Sequence, residues 1–282
     1  MTAGQNVIVI TGGAGAMGVA CARELGAAGP VLLADLNESD LAIVAADLIR
    51  AGYVVDTIVC DVTRQADIDA LAAKVAAMGA FRSLVHTAGL SPTMADGHRV
   101  LEVDLVGTAR VLAALEPMVT TGCAAVCIGS IAAYSDAGSE VDPLLDDPLR
   151  PQFIEDVVGQ LATDLDPDTA YVLAKRGVMR MCERLALSWG TKGGRIVSIS
   201  PGLIDTPMGR KELEQQEIMR LMIDFTPVKR PGMTPLPGRA GDIAAAAAFL
   251  CSDAAGFISG CDIRIDGGLV GAGRHMTAAP IS

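Results

Sequence analysis

The sequence predicts an α/β protein built on a doubly wound parallel sheet, and three observations support this class. Short, branched apolar runs alternate with amphipathic stretches along most of the chain. A parallel sheet with helices on both faces requires this alternation, because its strands are buried on both sides. A glycine-rich turn follows the first apolar run, and later runs end in small or polar residues. We therefore expect one domain over residues 1–282, with right-handed crossovers between its strands.

Each element follows from its local pattern. The run NVIVIT predicts a first strand, GGAGAMG a turn, VACARELGAAG a helix that ends at glycine, and PVLLAD a second strand. The alternation then predicts helices at 38–51, 64–77, about 99–118, about 168–190 and 240–251. It predicts further strands at 53–60, 82–87, 124–130, 194–200 and 261–265.

Two segments interrupt this rhythm. Residues 136–169 are acidic and contain four prolines, whereas residues 203–239 are helical in the middle and rich in proline and glycine at the end. The sheet pattern resumes after each segment, so neither resembles a linker between domains. We expect two insertions that lie over a sheet edge or over the functional site, the second acting as a substrate lid.

Charge and composition exclude several classes of partner. The formal net charge is −11 and the pI is near 4.7, which disfavours nucleic acid and anionic membrane surfaces. No apolar run reaches the length of a membrane-spanning helix, and the first residues lack the basic region of a signal peptide. We therefore expect no membrane partner.

Cysteine and histidine usage indicates neither disulfides nor a metal site. The seven cysteines are odd in number, form no CxxC pair and lie mostly in apolar runs, as expected for free thiols in the reducing cytoplasm. The three histidines are far apart in sequence, and we predict no metal. His86 is more typical of a packed strand residue than of a catalytic base.

The glycine turn, TGGAGAMG at 11–18, predicts a phosphate-binding site. Glycines permit positive φ angles and close approach of a ligand, and a helix N-terminus favours negative charge. Asp35 ends the second strand, where a carboxylate can accept both hydroxyls of an adenosine ribose and repel a 2′-phosphate. No cation follows it directly or lies in Ala14–Met17, so the pattern favours NAD over NADP. The alternatives are NADP preference, or a tight turn beside a solvated aspartate.

Two further strand ends suit the same ligand. Asp61 closes the third strand, where its carboxylate would meet an adenine amino group, and Ala88 and Gly89 form a small pair after the fourth. Ligands of open α/β sheets bind at the carboxyl ends of strands, where all these residues are expected.

Tyr171 and Lys175 are one helical turn apart in DTAYVLAKRG. A free tyrosine has a pKa of about 10, and a nearby ammonium favours the phenolate, so this spacing suits an acid/base pair. Alone, the stretch is more typical of an ordinary helix surface than of a site.

The ordered motifs TGGAGAMG, CDVT, HTAG, IGS, YVLAK, SPGLIDTP and IDGG resemble those of the short-chain dehydrogenase/reductases. This resemblance implies a Rossmann-like fold in which Ser130 holds the substrate oxygen, Tyr171 is the acid/base and Lys175 assists it. Asp104 stands where most active relatives have an asparagine of the proton relay, so it completes the predicted catalytic set. The strand ends and the resemblance together give this predicted cofactor site: Gly12, Ala16, Met17, Gly18, Asp35, Leu36, Asp61, Val62, Thr87, Ala88, Gly89, Tyr171, Lys175, Pro201, Gly202, Ile204 and Thr206.

Other features refine this resemblance. A gap of 41 residues separates Ser130 from Tyr171, and it is similar to that of a subgroup containing 3α-hydroxysteroid dehydrogenase/carbonyl reductase and coniferyl-alcohol dehydrogenase. The resemblance implies an NAD-dependent oxidoreductase for a hydrophobic secondary alcohol and its ketone. It also implies a homodimer or homotetramer formed through helices at about 99–118 and 168–190.

Three questions stay open in the sequence. Asp104 and the altered HTAG motif leave a non-catalytic dinucleotide-binding sensor as an alternative function. Ala16 replaces the usual second glycine of the turn, a change small enough for cofactor binding. The methionines at 208, 219, 222 and 233 suit either an adaptable substrate pocket or packing beneath the lid.

Overall fold

A computed structural model describes residues 6–161, 164–229 and 236–276. In these ranges, seven parallel strands form one sheet in the order β3-β2-β1-β4-β5-β6-β9. The order reverses between β1 and β4, which creates the crevice where ligands of such sheets bind. This confirms the predicted fold class. The strands are β1 (Asn6–Thr11), β2 (Val31–Asp35), β3 (Val55–Val59), β4 (Ala80–His86), β5 (Ala124–Ile128), β6 (Arg195–Pro201) and β9 (Asp262–Ile265).

Helices cover both faces of the sheet. The helices are α1 (Ala16–Leu25), α2 (Glu38–Arg50), α3 (Gln65–Met78), α4 (Gly97–Leu101), α5 (Thr108–Leu115), α6 (Phe153–Gln160), α7 (Pro167–Thr191), α8 (Pro207–Gln215), α9 (Ile218–Phe225), α10 (Ala240–Cys251) and α11 (Leu269–Met276). One core lies between the sheet and α3, α5 and α7, and the other between the sheet and α1, α2 and α10. Strand β1 alternates between them: Val7 and Val9 enter the first, and Ile8 and Ile10 the second.

The predicted helix at about 99–118 is not uniform. Helix α4 continues through a π-helical turn at Glu102–Gly107 into α5. A short 3₁₀ turn at Glu116–Met118, which contains Pro117, ends the segment. The other predicted elements agree with the structure to within a few residues. None of the helices in the described ranges has the length and hydropathy needed to cross a membrane.

The first predicted insertion packs against α7 rather than over a sheet edge or the crevice. It contains a 3₁₀ helix at Ser139–Asp146 and then α6. Apolar side chains from both parts are buried in the same core as α7; they are Val141, Leu145, Phe153 and Val157. Amphipathic pattern and core burial therefore fix this segment as an integral layer of the domain.

Two arginines of α7 bind the insertion. Arg176 is 8% exposed, and its guanidinium donates to the carbonyl oxygens of Ser135 and Ala137, both at 2.7 Å, and to Asp142 at 2.6 Å. Arg180 makes a bidentate pair with Asp146, at 2.7 and 2.8 Å. A buried guanidinium with three acceptors is a costly group to leave unpaired, so Arg176 ties the insertion to the helix.

The second insertion lies beside the cleft, and its role as a lid stays a prediction. A short parallel strand pair, β7 (Ile204–Asp205) with β8 (Gly238–Arg239), joins its two ends. Helices α8 and α9 extend between them, and Met219 packs with Leu203, Leu236 and Leu269 in a small third core. The lid is therefore anchored at its base and packed on α11.

Candidate active site

The glycine turn is closely packed against neighbouring backbone. Gly12 has a φ of +64°, and a Cβ there would lie 2.7 Å from the amide nitrogen of Ala88. A Cβ at Gly18 would overlap the carbonyl oxygen of Gly12. Neither position tolerates a side chain, so the backbone at the N-terminus of α1 stays open to a ligand. This cradle fits the pyrophosphate of a dinucleotide.

Asp35 lies where β2 meets this cradle. Its Oδ2 accepts a hydrogen bond from the amide of Ala14 at 3.0 Å, and its Oδ1 accepts one from Asn37 at 3.3 Å. The first turn of α2 adds two further acidic side chains, Glu38 and Asp40. The wall around the predicted ribose position is therefore acidic, which disfavours an additional phosphate there.

Asp61 is more strongly engaged by the protein than its predicted adenine-binding role suggests. Its Oδ1 accepts from the Thr63 amide and hydroxyl at 2.9 and 2.7 Å, and its Oδ2 is 3.4 Å from Arg99. Although burial raises the pKa of Asp61, the Thr63 hydrogen bonds and the Arg99 charge outweigh it and lower the pKa overall. The carboxylate is thus ionised, with Oδ2 the less occupied oxygen.

Helix α7 brings the predicted acid and lysine together. Asp166 caps its first turn by accepting from the amides of Asp168 and Thr169, both at 3.0 Å, and Pro167 occupies the first helical position. Lys175 follows Tyr171 by one helical turn, and its Nζ lies 5.3 Å from the centre of the Tyr171 ring. The cap therefore fixes the start of the helix that presents both side chains to the crevice.

Lys175 forms a buried ion pair with Asp104. Its Nζ is 2.9 Å from Asp104 Oδ2, and the two side chains are 7% and 0% exposed. Leu90 donates its amide to Asp104 Oδ1 at 2.7 Å. Burial raises the pKa of Asp104, whereas the charge of Lys175 opposes this shift. For Lys175, burial lowers the pKa, but Asp104 and Tyr171 outweigh it and raise the value.

The π-helical turn explains how Asp104 reaches this lysine. Such turns insert one residue into a helix and often occur at functional sites. Thr108 donates its hydroxyl to the Asp104 carbonyl at 2.6 Å, and a Cβ at Gly89 would lie 3.2 Å from both Asp104 Oδ2 and Lys175 Nζ. The pair is enclosed, so the aspartate contacts the lysine directly.

Tyr171 and Ser130 both line the crevice and interact there. Burial raises the pKa of Tyr171, and the charge of Lys175 together with the Ser130 hydrogen bond opposes this shift. Ser130 also caps the 3₁₀ turn at Ile131–Tyr134 by accepting from the Ala132 amide at 3.2 Å. The nearby Ser135 instead accepts from Ala137 at 3.3 Å. The structure thus favours Ser130 over Ser135 as partner of the tyrosine.

His86 is a packed residue of β4, as predicted. Its ring nitrogens contact the hydroxyls of Thr11 at 2.7 Å and Thr108 at 2.9 Å. Burial, followed by the charge of Lys175, lowers the pKa of His86 to about 3, so the ring is neutral. It joins β1, β4 and α5 behind the site.

A cleft of about 1330 Å³ joins the glycine turn, Tyr171 and the lid. All but two of the predicted site residues line it. The exceptions are Gly18, which packs under the turn, and Asp104, which lies behind Lys175. Their roles in binding and catalysis stay predictions. Within the described ranges, no group of three or more His, Cys, Asp or Glu residues could hold a metal ion.

The cleft also contains residues that the sequence reasoning missed. Met208, Met219 and Met222 line it as one prediction proposed, while Met233 lies outside the described residues. Unpredicted polar residues, among them Glu212, Arg99 and Tyr134, line it as well. Glu212 lies on α8, five residues after Pro207. In the sequence, only its position on an amphipathic helix of the second insertion indicates that it faces the cleft.

Comparisons with known proteins identify the family of the chain. A family model described as short chain dehydrogenase matches residues 6–139, and one described as Enoyl-(Acyl carrier protein) reductase matches residues 158–270. Short-chain dehydrogenase/reductase bsc3 of Alternaria brassicicola is 32% identical over 269 residues, 94% of this chain and 95% of the relative. D-threitol dehydrogenase of Mycolicibacterium smegmatis is 31% identical, covering 93% of this chain and 92% of its own.

Further relatives extend the comparison. Galactitol 2-dehydrogenase (L-tagatose-forming) of Cereibacter sphaeroides is 29% identical over 92% of both chains. The solved structure of a short-chain type dehydrogenase/reductase from Mycobacterium ulcerans superposes with a TM-score of 0.75 at 25% identity, covering 95% of this chain and 91% of that one. The chain therefore belongs to the short-chain dehydrogenase/reductase family, whose members are oxidoreductases that bind NAD or NADP.

Proposed function

We propose that the protein is an NAD-dependent oxidoreductase that interconverts a secondary alcohol, mainly apolar in body, and its ketone. The observation that carries this proposal is the position of Tyr171, which lies beside the Lys175 ammonium and shares one cleft with Ser130. A non-catalytic binding protein has no need of this arrangement.

The side chains divide the work of proton transfer. With its pKa raised by burial, the Tyr171 phenol holds its proton and donates it to the oxygen of a ketone as that oxygen gains charge. In the reverse direction, the Lys175 charge favours the phenolate that accepts the proton. The Ser130 hydroxyl holds the reacting oxygen, and Asp104 positions Lys175.

The cofactor site supports a nicotinamide dinucleotide. When bound, this cofactor supplies or accepts the hydride. The cradle at Gly12 fits the pyrophosphate, and Asp35 would hold the adenosine ribose while the acidic start of α2 disfavours the 2′-phosphate of NADP. Pro201, Gly202 and Thr206 line the same cleft and would border the nicotinamide.

The substrate end of the cleft is rich in methionine. Met208, Met219 and Met222 line it, and flexible thioethers adapt to apolar ligands. Two relatives are named for polyols, D-threitol and galactitol, which directs attention to hydroxyl-bearing alcohols besides steroid-like and aryl ketones.

A substrate screen tests the proposal. Purified protein is assayed with NAD(H) against steroids, aryl ketones, aliphatic secondary alcohols and polyols. We expect turnover that Tyr171→Phe reduces by roughly 10²–10⁴-fold while NADH binding by calorimetry is retained. NADH binding without turnover of any class would instead support a sensor, and tighter binding of NADPH than NADH would overturn the cofactor assignment.

We also propose a homodimer or homotetramer. The insertion covers part of α7, which the family resemblance assigns to an interface, with Arg176 and Arg180 engaged within the chain. Phe249, in α10, and Phe257, between α10 and β9, are exposed and offer an apolar surface elsewhere. Light scattering distinguishes the two assemblies, and a monomer at micromolar concentration contradicts both.

A further inference from the structure

Glu212 is an acidic side chain in the substrate half of the cleft that the mechanism above does not use. It lies on α8 and lines the cleft together with Tyr171 and Lys175. Its charge raises the pKa of both these residues, which places it within electrostatic reach of the reacting groups. A carboxylate here faces whatever the tyrosine acts upon.

The position of Glu212 is fixed by the ends of its helix. Thr206 caps α8 by accepting from the Gly209 amide at 3.0 Å. At the other end, Gln216 donates its side-chain amide to Asp168, on the first turn of α7, at 3.1 Å. Because α7 also carries Tyr171, the carboxylate and the acid/base are held on elements tied to each other.

The hydrogen bonding of Glu212 is incomplete within the described part of the chain. Burial raises the pKa of Glu212, and the Ser91 hydroxyl and the charge of Lys175 oppose this shift; the buried Ser91 also contacts the Thr93 hydroxyl at 2.9 Å. A carboxyl group keeps acceptor lone pairs in either protonation state, so acceptor sites of Glu212 face the cleft. Methionines surround the same space, where an unsatisfied acceptor is costly.

We propose that Glu212 determines substrate specificity by accepting a hydrogen bond from a second hydroxyl group of the substrate. This inference rests on the proposed function and narrows its substrate class to diols or polyols, with one hydroxyl at Tyr171 and another at Glu212. A substrate carboxylate would be repelled there. An ammonium group would also pair with Glu212, but its larger desolvation cost beside the methionines favours the neutral hydroxyl.

A matched pair of alcohols tests this assignment. Cyclohexanol and the isomeric cyclohexanediols are compared by kcat/KM with NAD, and by equilibrium binding to the protein–NADH complex. In the wild type we expect at least one diol to exceed cyclohexanol by roughly 10- to 100-fold, the size of a hydrogen bond to a charged acceptor. Glu212→Leu removes this preference and Glu212→Gln reduces it. Because both variants also remove a charge that acts on Tyr171, the diol-to-cyclohexanol ratio is the readout rather than either rate alone.

Glu214→Gln is the matched control, because Glu214 lies on the same helix but is exposed. It should retain the diol preference, and thermal unfolding verifies that all variants fold. An unchanged diol-to-cyclohexanol ratio in Glu212→Leu overturns the inference, as does a stronger preference for the amino alcohol over the diol. Absence of turnover with a Glu212-dependent diol preference in binding contradicts only the proposed catalysis. A complex that binds neither alcohol contradicts the Glu212 assignment.

Discussion

The two ends of the cleft differ in the chemical groups that form them. At the dinucleotide end, the surface of the turn is formed by the backbone of glycines, with Gly12 packed against Ala88 and Gly18 against Gly12. At the catalytic end, charged side chains from distant segments meet, with Lys175 between Asp104 and Tyr171. The first end should therefore be sensitive to added volume, and the second to changed charge.

The largest effect is expected from added volume at the dinucleotide end. In Gly18→Ala, the new methyl group meets the Gly12 carbonyl, a rigid backbone atom that cannot move aside cheaply. We expect a loss of stability of about 1–3 kcal/mol or more and strongly weakened NAD binding. Thermal unfolding and calorimetry measure these effects.

Gly159→Ala provides the control for Gly18→Ala, since a Cβ at this α6 position has no neighbour within 4 Å. Replacing glycine with alanine within a helix should leave stability unchanged or slightly higher. Equal NAD affinity in wild type and Gly18→Ala would show that the turn is not tightly packed in solution.

Asp35 is the charged side chain at the predicted ribose position of the dinucleotide end. In Asp35→Ala, the ribose loses a charged acceptor and a 2′-phosphate loses its repulsion. We expect the ratio of NADPH to NADH affinity to rise by roughly 10- to 100-fold, as measured by fluorescence titration. Glu38→Gln, in the acidic first turn of α2, should change the ratio much less. An equal change would assign the cofactor preference to the summed negative charge of this region rather than to Asp35.

A smaller but directional effect is expected from Asp104→Asn at the catalytic end. Burial is the main cause of the raised pKa of Tyr171, and the Asp104 charge adds to it. Removing that charge lowers the pKa of Tyr171, so more phenolate is present at a given pH. The acidic limb of the kcat/KM profile for alcohol oxidation should therefore move to lower pH. A limb that stays in place, or moves to higher pH, contradicts this electrostatic coupling.

The smallest effect is expected where charges lie outside the cleft. Arg180 and Asp146 join α7 to the insertion, and each side chain is 33% exposed. Arg180→Gln should cost about 0.2–1 kcal/mol in chemical denaturation and leave kcat unchanged. A large fall in kcat would show that the insertion influences the catalytic end.

Sequence reasoning was strongest at the dinucleotide end, because its signals are local. A glycine turn between a strand and a helix, and an aspartate at the next strand end, can each be read within a few residues. The structure places Gly12 and Asp35 accordingly. The alternation of apolar runs likewise predicted the seven-stranded sheet, since burial on both faces dictates the pattern.

The catalytic end was less predictable, because its contacts join residues far apart in the chain. The direct pairing of Asp104 with Lys175 depends on a π-helical turn, which the sequence pattern did not predict. Glu212 reaches the cleft only through the packing of the lid. The insertion was expected over a sheet edge or the site, and its true position on α7 depends on buried apolar side chains and the contacts of Arg176.

Arg176 connects that insertion to Lys175, its neighbour in the chain. It directly follows Lys175 in α7, and its guanidinium takes three acceptors from residues 135–142. Deleting the insertion would leave the buried Arg176 guanidinium without these acceptors, directly after Lys175 in the helix. The shortened chain would therefore not reproduce a relative in which few residues separate the serine and the tyrosine. Local opening of the insertion and of this part of α7 should therefore occur as one cooperative event. In native-state hydrogen exchange, amides of both segments would share one opening free energy.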